Sequence, residues 1–331
     1  MESFIARFSY PKYKLLDSSA PGFVGRWFKK SIGENTCMVT LNDGSAFHFL
    51  TDGADSVNVD FLHVTPSTVP YFSYSIDGSD PIRQLITEPT VILPDNGMHV
   101  VCIRADGLTE SVGKWDKELG FALKGVNVNR GKLVGIAPQN KVIAFFGDSI
   151  TEGVNVFGVG GNSAVNSATH AYPYYCTRIL KATEYNVGYG GSGICKPGSF
   201  NTFINAIDYL SEKREVDSSF RPDVIVVNHG TNDQKYTELE FESGLRKALD
   251  RLLTKYDGIP TFYMIPFSQR RDEIIRRICK EYGDGIHVIE TAAWDIPLTD
   301  NLHPNVIGSE NAGEQLAKSL KAILGEEFFN K

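Results

Sequence analysis

Short apolar runs broken by tight-turn residues occupy roughly residues 24 to 130 of the chain. Thr36–Leu41, Ala46–Leu50, Ser56–His63, Tyr71–Ile76 and Met98–Arg104 are rich in β-branched and aromatic side chains. Such residues fit a pleated, half-buried surface, so each run predicts a strand. Between them stand Asn42-Asp43-Gly44, Asp52-Gly53, Asp77-Gly78 and Asp95-Asn96-Gly97. Asp-Gly and Asn-Gly supply the positive φ that tight hairpins need. Short strands at this spacing predict an antiparallel β-sandwich or jelly roll. Near Gly131–Asn140 the pattern changes. KVIAFF (141–146), YNV (185–187), DVIVVN (223–228), PTFYMI (260–265) and IHVIE (286–290) are near-continuous apolar runs. Amphipathic stretches, among them Leu239–Tyr256 and Gln269–Tyr282, lie between them. Strand–helix alternation with apolar strands predicts a parallel sheet covered on both faces. The expected organisation is two domains, residues 1–135 and 136–331.

Composition narrows the class. The chain has 331 residues, 42% hydrophobic and 22% charged, which is globular and not disordered. Its formal net charge is −7, so a phosphate backbone is repelled and nucleic acid is not the expected partner. No stretch nears the ~18 consecutive apolar residues of a membrane span. The first residues, MESFIARFSYPKYKLLDSS, lack the basic, apolar and small-residue regions of a signal peptide. The five cysteines are odd in number and scattered, with no Cys-x-x-Cys. That points away from a disulfide framework and toward a reducing, cytoplasmic setting.

Candidate chemistry gathers after the strands of the second half. Gly147-Asp148-Ser149 follows the first and Gly188-Tyr189-Gly190-Gly191 the second. His229-Gly230-Thr231-Asn232-Asp233 follows the third, and Asp300-Asn301-Leu302-His303 follows the fifth. Open parallel sheets bind ligands at the carboxyl ends of their strands. Ester hydrolysis through a covalent intermediate needs an exposed nucleophile, a base near neutral pKa, an orienting acid and oxyanion donors. Ser149, His303 and Asp300 suit the first three roles. The backbone N–H groups of Ser149 and Gly191 and the amide of Asn232 suit the fourth.

These four blocks, in this order, resemble those of the SGNH (GDSL-type) hydrolase superfamily. The resemblance implies a flavodoxin-like three-layer α/β domain. It makes Ser149 the nucleophile, Gly191 and Asn232 oxyanion donors, and Asp300 and His303 the triad partners. A β-rich half running into a Phe-Phe-Gly-Asp-Ser strand is also similar to carbohydrate esterase family 2. Those enzymes join a jelly roll to an SGNH domain and deacetylate plant polysaccharides. Several of them lack the triad Asp, which is present here as Asp300. The expected activity is a serine esterase acting on acetylated xylan- or mannan-type oligosaccharides. Lipid or aryl esterase, thioesterase and sugar O-acetyltransferase chemistry use the same machinery.

Other features have blander readings. Gly188-x-Gly190-x-x-Gly193 matches a dinucleotide fingerprint, but no acidic residue closes the next strand, so no cofactor is expected. The glycines suit a tight turn that frees one N–H. Phe203–Asp217 reads as a polar helix. His229 reads as a packed, hydrogen-bonded histidine, and no histidine has partners at metal-ligand spacing. Asp148 and Asp233 read as braces of their own turns. Arg270, Arg271, Arg276 and Arg277 read as a solvated helix face, with Glu273–Arg277 an i,i+4 pair. Trp294, shortly before Asp300, fits either a core position or the wall of a sugar subsite.

Overall fold

A computed structural model describes residues 1–66, 68–110, 112–198 and 201–330. The first half forms two antiparallel sheets. One runs in the order Tyr13–Leu15, Lys132–Pro138, Ala46–Asp52, Met98–Gly107, Tyr71–Ile76 and Ile82–Leu85, and Gly22–Val24 also pairs with Ala46–Asp52. The other runs Trp27–Ile32, Asn35–Thr40, Phe121–Val128, Ser56–Leu62 and Thr90–Ile92. Phe47, Phe49, Phe72, Val101 and Ile103 from the first share one apolar cluster with Val57, Val59, Phe61, Phe121 and Leu123 from the second.

Of the four expected turns, only Asp77-Gly78 closes a hairpin. It joins Tyr71–Ile76 to its neighbour Ile82–Leu85, with φ of 53° and 80° at the two residues. The other three carry the chain from one sheet to the other. Sequence alone cannot separate these cases, because Gly44 and Gly53 at the crossings take φ of 91° and 83°, as Gly78 does in the hairpin at 80°. Asn42 and Asp43 are in fact buried. The Asn42 amide donates to the Gly188 carbonyl at 3.1 Å, across the seam between the halves.

The second half is built on five parallel strands: β1 (Val142–Gly147), β2 (Thr183–Gly188), β3 (Val224–Asn228), β4 (Thr261–Met264) and β5 (His287–Ile289). Their order, β2-β1-β3-β4-β5, is the flavodoxin-like one, whose switch point lies between β1 and β3. Side chains along β1 alternate faces, as the period of two requires. Ile143 and Phe145 join Val224 and Val226 under helices α2 (Tyr172–Leu180) and α6 (Val306–Leu324). Ala144 and Phe146 join Ile225 and Val227 under α3 (Phe203–Asp208), α4 (Glu238–Lys255) and α5 (Asp272–Glu281). Helices on both faces account for strands with no polar side.

The polar stretch 203–217 is helical only to Asp208; a small hairpin, Tyr209–Ser211 with Arg214–Glu215, follows. The helix expected from Gln269 starts at Asp272, because Gln269 and Arg271 take φ of 55° and 62°. Arg277 binds Glu242 of α4, at 2.6 and 3.1 Å, and not Glu273. No helix among the described residues is long and apolar enough to cross a membrane.

The seam is polar and buried. Lys114 from the first half contacts Glu152 and lies 3.5 Å from Asp43, all three shut off from solvent. Burial alone would lower the Lys114 ammonium's pKa, but the two carboxylates outweigh it and raise it. Arg26 donates to the carbonyls of Ala206 and Tyr209 at 2.6 and 2.9 Å, and Arg104 pairs with Glu184 at 3.0 Å.

Candidate active site

Gly147 ends β1 in a bend that only glycine permits. A Cβ there would lie 2.0 Å from Thr151 Oγ1. After Asp148, residues Ser149–Glu152 form the single-turn helix α1 at the switch point. Asp148 caps it, its Oδ1 accepting from Ile150 N–H at 3.0 Å, which is the turn-bracing role expected of it. Burial pushes the Asp148 carboxyl up to about 7. Ser149 stands first in this helix, only 4% exposed.

The acid–base pair arrives from the far end of the sheet. After β5 the chain turns at Asn301, which has φ of 64°. Asp300 Oδ1 there accepts the N–H groups of Leu302 and His303, at 3.2 and 2.8 Å. Asp300 Oδ2 lies 2.8 Å from His303 Nδ1, and His303 Nε2 lies 2.8 Å from Ser149 Oγ. An ionised carboxylate can only accept, so Nδ1 carries the proton and Nε2 is left to accept from the serine. Burial would raise the Asp300 carboxyl. The His303 backbone N–H, the His303 ring and the Asn155 amide outweigh it and hold the pKa down at about 2.

Asn155 was not singled out by sequence. Its Nδ2 donates to Asp300 Oδ2 at 2.7 Å, while its Oδ1 accepts the N–H groups of Gly160 and Gly161 at 3.1 and 2.7 Å. Its φ of 59° is uncommon for a residue other than glycine. The only signal in the sequence is an Asn two residues beyond Gly153, too slight to read unaided.

The expected oxyanion donors converge less simply. The N–H groups of Ser149 and Gly191 make no hydrogen bond to any described residue. Gly191 has φ of 69°, which fits a turn that turns out one N–H. Asn232 differs: its amide donates to Asp148 Oδ2 at 3.1 Å and to the Ser192 carbonyl at 3.0 Å. Both amide hydrogens are engaged, so donation to an oxyanion must share or displace one of these bonds.

Asp233 does not brace its own turn. Its carboxylate accepts the N–H groups of Ile194, Cys195 and Lys196, at 2.7 to 3.0 Å, and so holds the loop after β2 against the loop after β3. Arg270 and Arg271 are likewise more than a solvated face. Arg270 donates to the Thr231 carbonyl at 3.0 Å, and Arg271 to those of Asp233 and Tyr236, clamping the Asn232 loop. His229 is buried against Phe203, with ring centroids 4.8 Å apart. The Ser192 backbone acts on the ring as a hydrogen-bond partner, although outside ideal geometry, so His229 is packed as expected. Trp294 is part-buried on Phe267, at 6.1 Å between centroids, in the cluster shared with α2 and α6. Its contacts are those of a core residue, because the chain after β5 folds back onto that cluster before reaching Asp300.

Among the described residues no group of three or more His, Cys, Asp or Glu is placed to hold a metal ion. A partly open cavity of about 70 Å³ lies at the seam, lined by Tyr10, Tyr13, His48, Arg104, Tyr174 and Glu184. Ser149, Asp300 and His303 do not line it.

Asn232→Ala should lower kcat by roughly 10²–10³ with little change in KM, as loss of an oxyanion donor does. Steady-state kinetics on nitrophenyl acetate check this. A raised KM with kcat intact would make Asn232 a ground-state binder.

An acetylxylan esterase of Xylanibacter ruminicola is 25% identical over 259 residues, which is 65% of this chain but only 48% of that protein. Two solved family two carbohydrate esterases share the fold at low identity. The one from Cellvibrio japonicus superposes with a TM-score of 0.74 at 16% identity, covering 96% of this chain and 98% of its own. One from Clostridium thermocellum, an active-site mutant bound to a cello-oligosaccharide, gives 0.72 at 19%, covering 92% and 99%. The family model for GDSL-like lipases and acylhydrolases matches residues 145–310, which span the Ser149 turn, the Gly191 and Asn232 loops and the Asp300–His303 turn. With half the chain inside that match, the protein belongs to the GDSL-like lipase/acylhydrolase family.

Proposed function

We propose that the chain is a serine-dependent carboxylic ester hydrolase that removes acetyl groups from oligosaccharides of xylan or mannan type. The observation that carries this reading is the continuous line Ser149 Oγ–His303 Nε2–His303 Nδ1–Asp300 Oδ2, with each hydrogen bond 2.8 Å long. In the first step Ser149 Oγ bonds to the acetyl carbonyl carbon while His303 Nε2 takes its proton. The tetrahedral intermediate then collapses, the sugar oxygen leaves with that proton, and acetyl-serine remains. Water repeats the sequence and releases acetate. Ser149 N–H, Gly191 N–H and the Asn232 amide stabilise the oxyanion in both steps. Asp300 fixes the tautomer and stabilises the imidazolium.

The acetylxylan esterase likeness and the family two carbohydrate esterase folds support the substrate class. The low exposure of Ser149 and His303, 4% and 8%, supports a small acyl group. The two-unit division at 135/136 is part of the same reading. Its β-sandwich (jelly-roll) unit is supported by antiparallel strands, the last of which, Lys132–Pro138, runs three residues past that division, four residues before the parallel sheet starts at Val142.

The test is acetate release from acetylated xylan and mannan oligosaccharides, followed by mass spectrometry. Acyl length gives a second measurement. kcat/KM on nitrophenyl acetate should exceed that on the octanoate by about 100-fold, or ~2.7 kcal/mol of transition-state discrimination. Equal or faster turnover of the octanoate would transfer the chain to lipid or thioester hydrolysis.

A further inference from the structure

One carboxylate beside the triad has no part in the mechanism above. Glu110 follows strand Met98–Gly107 of the first half. Its backbone N–H donates to the Gly161 carbonyl at 2.8 Å. That places it on the loop that Asn155 and Asn166 hold. Asn166 Nδ2 donates to the Leu108 carbonyl at 2.8 Å, and Asn166 Oδ1 accepts from Asn155 N–H at 2.9 Å. Asn155 in turn donates to Asp300. The position of Glu110 is therefore built from the triad outward.

The side chain lies against the oxyanion loop. A Cβ on Gly190 would meet Glu110 Cγ at 2.4 Å and Oε1 at 2.5 Å, so glycine is needed there for the carboxylate to approach. On the neighbouring residue, a Cβ of Gly191 would lie 3.5 Å from Lys196 Nζ. A carboxylate and an ammonium thus flank the Gly190–Gly191 turn, and both are part-buried. The Glu110 carboxylate accepts no hydrogen bond from a described residue and pairs with no described cation. Burial, and after it the charge of Glu152, raises the Glu110 carboxyl, while His303, Lys114 and Lys196 act in the opposite sense.

A part-buried carboxylate with free acceptor sites beside an ester-cleaving centre asks for a donor from the substrate. Acetate offers none, so the donor belongs to the alcohol that leaves. We propose that Glu110 is a specificity-determining residue, delivered by the N-terminal half, that accepts a hydrogen bond from a hydroxyl of a polyhydroxylated leaving alcohol. Lys196 donates to a second oxygen of the same alcohol. The inference rests on the esterase reading above and deepens it: the alcohol is recognised by its neighbouring hydroxyls. It also gives the N-terminal half a role in selection, since that half supplies Glu110 while the parallel sheet supplies Ser149 and His303.

The test crosses enzyme variant with substrate. Wild type, Glu110→Gln and Glu110→Ala are assayed on a sugar monoacetate, on the same acetate lacking the adjacent hydroxyl, and on nitrophenyl acetate. Wild type should prefer the hydroxylated acetate by about 10–100-fold in kcat/KM, as a charge-assisted hydrogen bond permits. In both variants that preference should collapse toward unity, with the ratio of sugar acetate to nitrophenyl acetate falling by a similar factor. A wild-type enzyme indifferent to the hydroxyl overturns the proposal without any variant, so misfolding cannot shelter it. A variant that keeps the full preference, or loses all three substrates in equal proportion, overturns it as well. The esterase reading fails separately, if wild type cleaves nitrophenyl acetate but no sugar acetate, or cleaves neither.

Discussion

Ser149→Ala and His303→Ala should each remove about 10⁴–10⁶ of kcat, the largest losses expected for this chain. Groups that act as one unit lose most of the catalysis when any member goes, and their losses do not add. Ser149 Oγ is the atom that would carry the acyl group, and His303 Nε2, 2.8 Å away, is placed to take its proton. The alanine at 149 deletes one oxygen at the start of a helix whose cap is made by Asp148, so folding should be retained. Thermal melting of the variant checks that point. Turnover of nitrophenyl acetate, with labelling by a fluorophosphonate probe, checks the chemistry. Retention of more than about a tenth of wild-type kcat by Ser149→Ala would overturn the assignment, because loss of a nucleophile normally costs several decades.

Asp300→Asn should cost up to about 10⁴ in kcat, the loss seen in the serine-protease template. In the structure this carboxylate accepts four hydrogen bonds, from Leu302 N–H, His303 N–H, His303 Nδ1 and Asn155 Nδ2. An asparagine supplies only one accepting oxygen. Its NH₂ would replace either Oδ1, against the Leu302 and His303 backbone N–H groups, or Oδ2, against the Asn155 amide and His303 Nδ1. In the second case Nδ1 must accept, the ring proton moves to Nε2, and Nε2 can no longer take the proton of Ser149. The charge that stabilises the imidazolium is also lost. Some members of the resembled family orient the histidine through a backbone carbonyl, and a loss of only a few fold would assign this chain to that arrangement. The pH dependence should distinguish tautomer loss from unfolding. Asp300, held at about 2, stays ionised through the working range, so wild-type activity should show no limb from it above about pH 4.

What could be read without coordinates follows from how local the signal is. The five apolar runs of the second half became the five parallel strands, because a strand buried on both faces has no polar positions to confuse its pattern. Ser149, Gly191, Asn232, Asp300 and His303 were legible because each follows the carboxyl end of one of those strands. Features set by partners far along the chain were not legible. Trp27–Ile32, with Lys29, Lys30 and Ser31 inside it, and Phe121–Val128, whose register shifts between Leu123 and Gly125, do not alternate cleanly. The first is a strand because Asn35–Thr40, 3 to 13 residues on, completes its ladder, and the second because partners 60 to 85 residues back complete its two ladders. Arg270 and Arg271 looked like surface charges and Asp233 like a brace of its own turn; only the meeting of two loops turned them into a clamp.

By itself, then, the sequence determined the parallel sheet of the second half, the order of the blocks that follow its strands and the side chains proposed to react. These depend on periodicity and on residues within a few positions of one another. The tertiary structure decided which turns cross between sheets, that the Asn42-Asp43-Gly44 turn is buried at the seam, and that both Asn232 amide hydrogens are already engaged. It also brought Asn155 to Asp300 and Glu110 to Gly190, over sequence separations of 145 and 80 residues. Hydrogen bonding and close packing act at about 3 Å in space whatever the distance along the chain, so no local pattern encodes which remote groups will share that space.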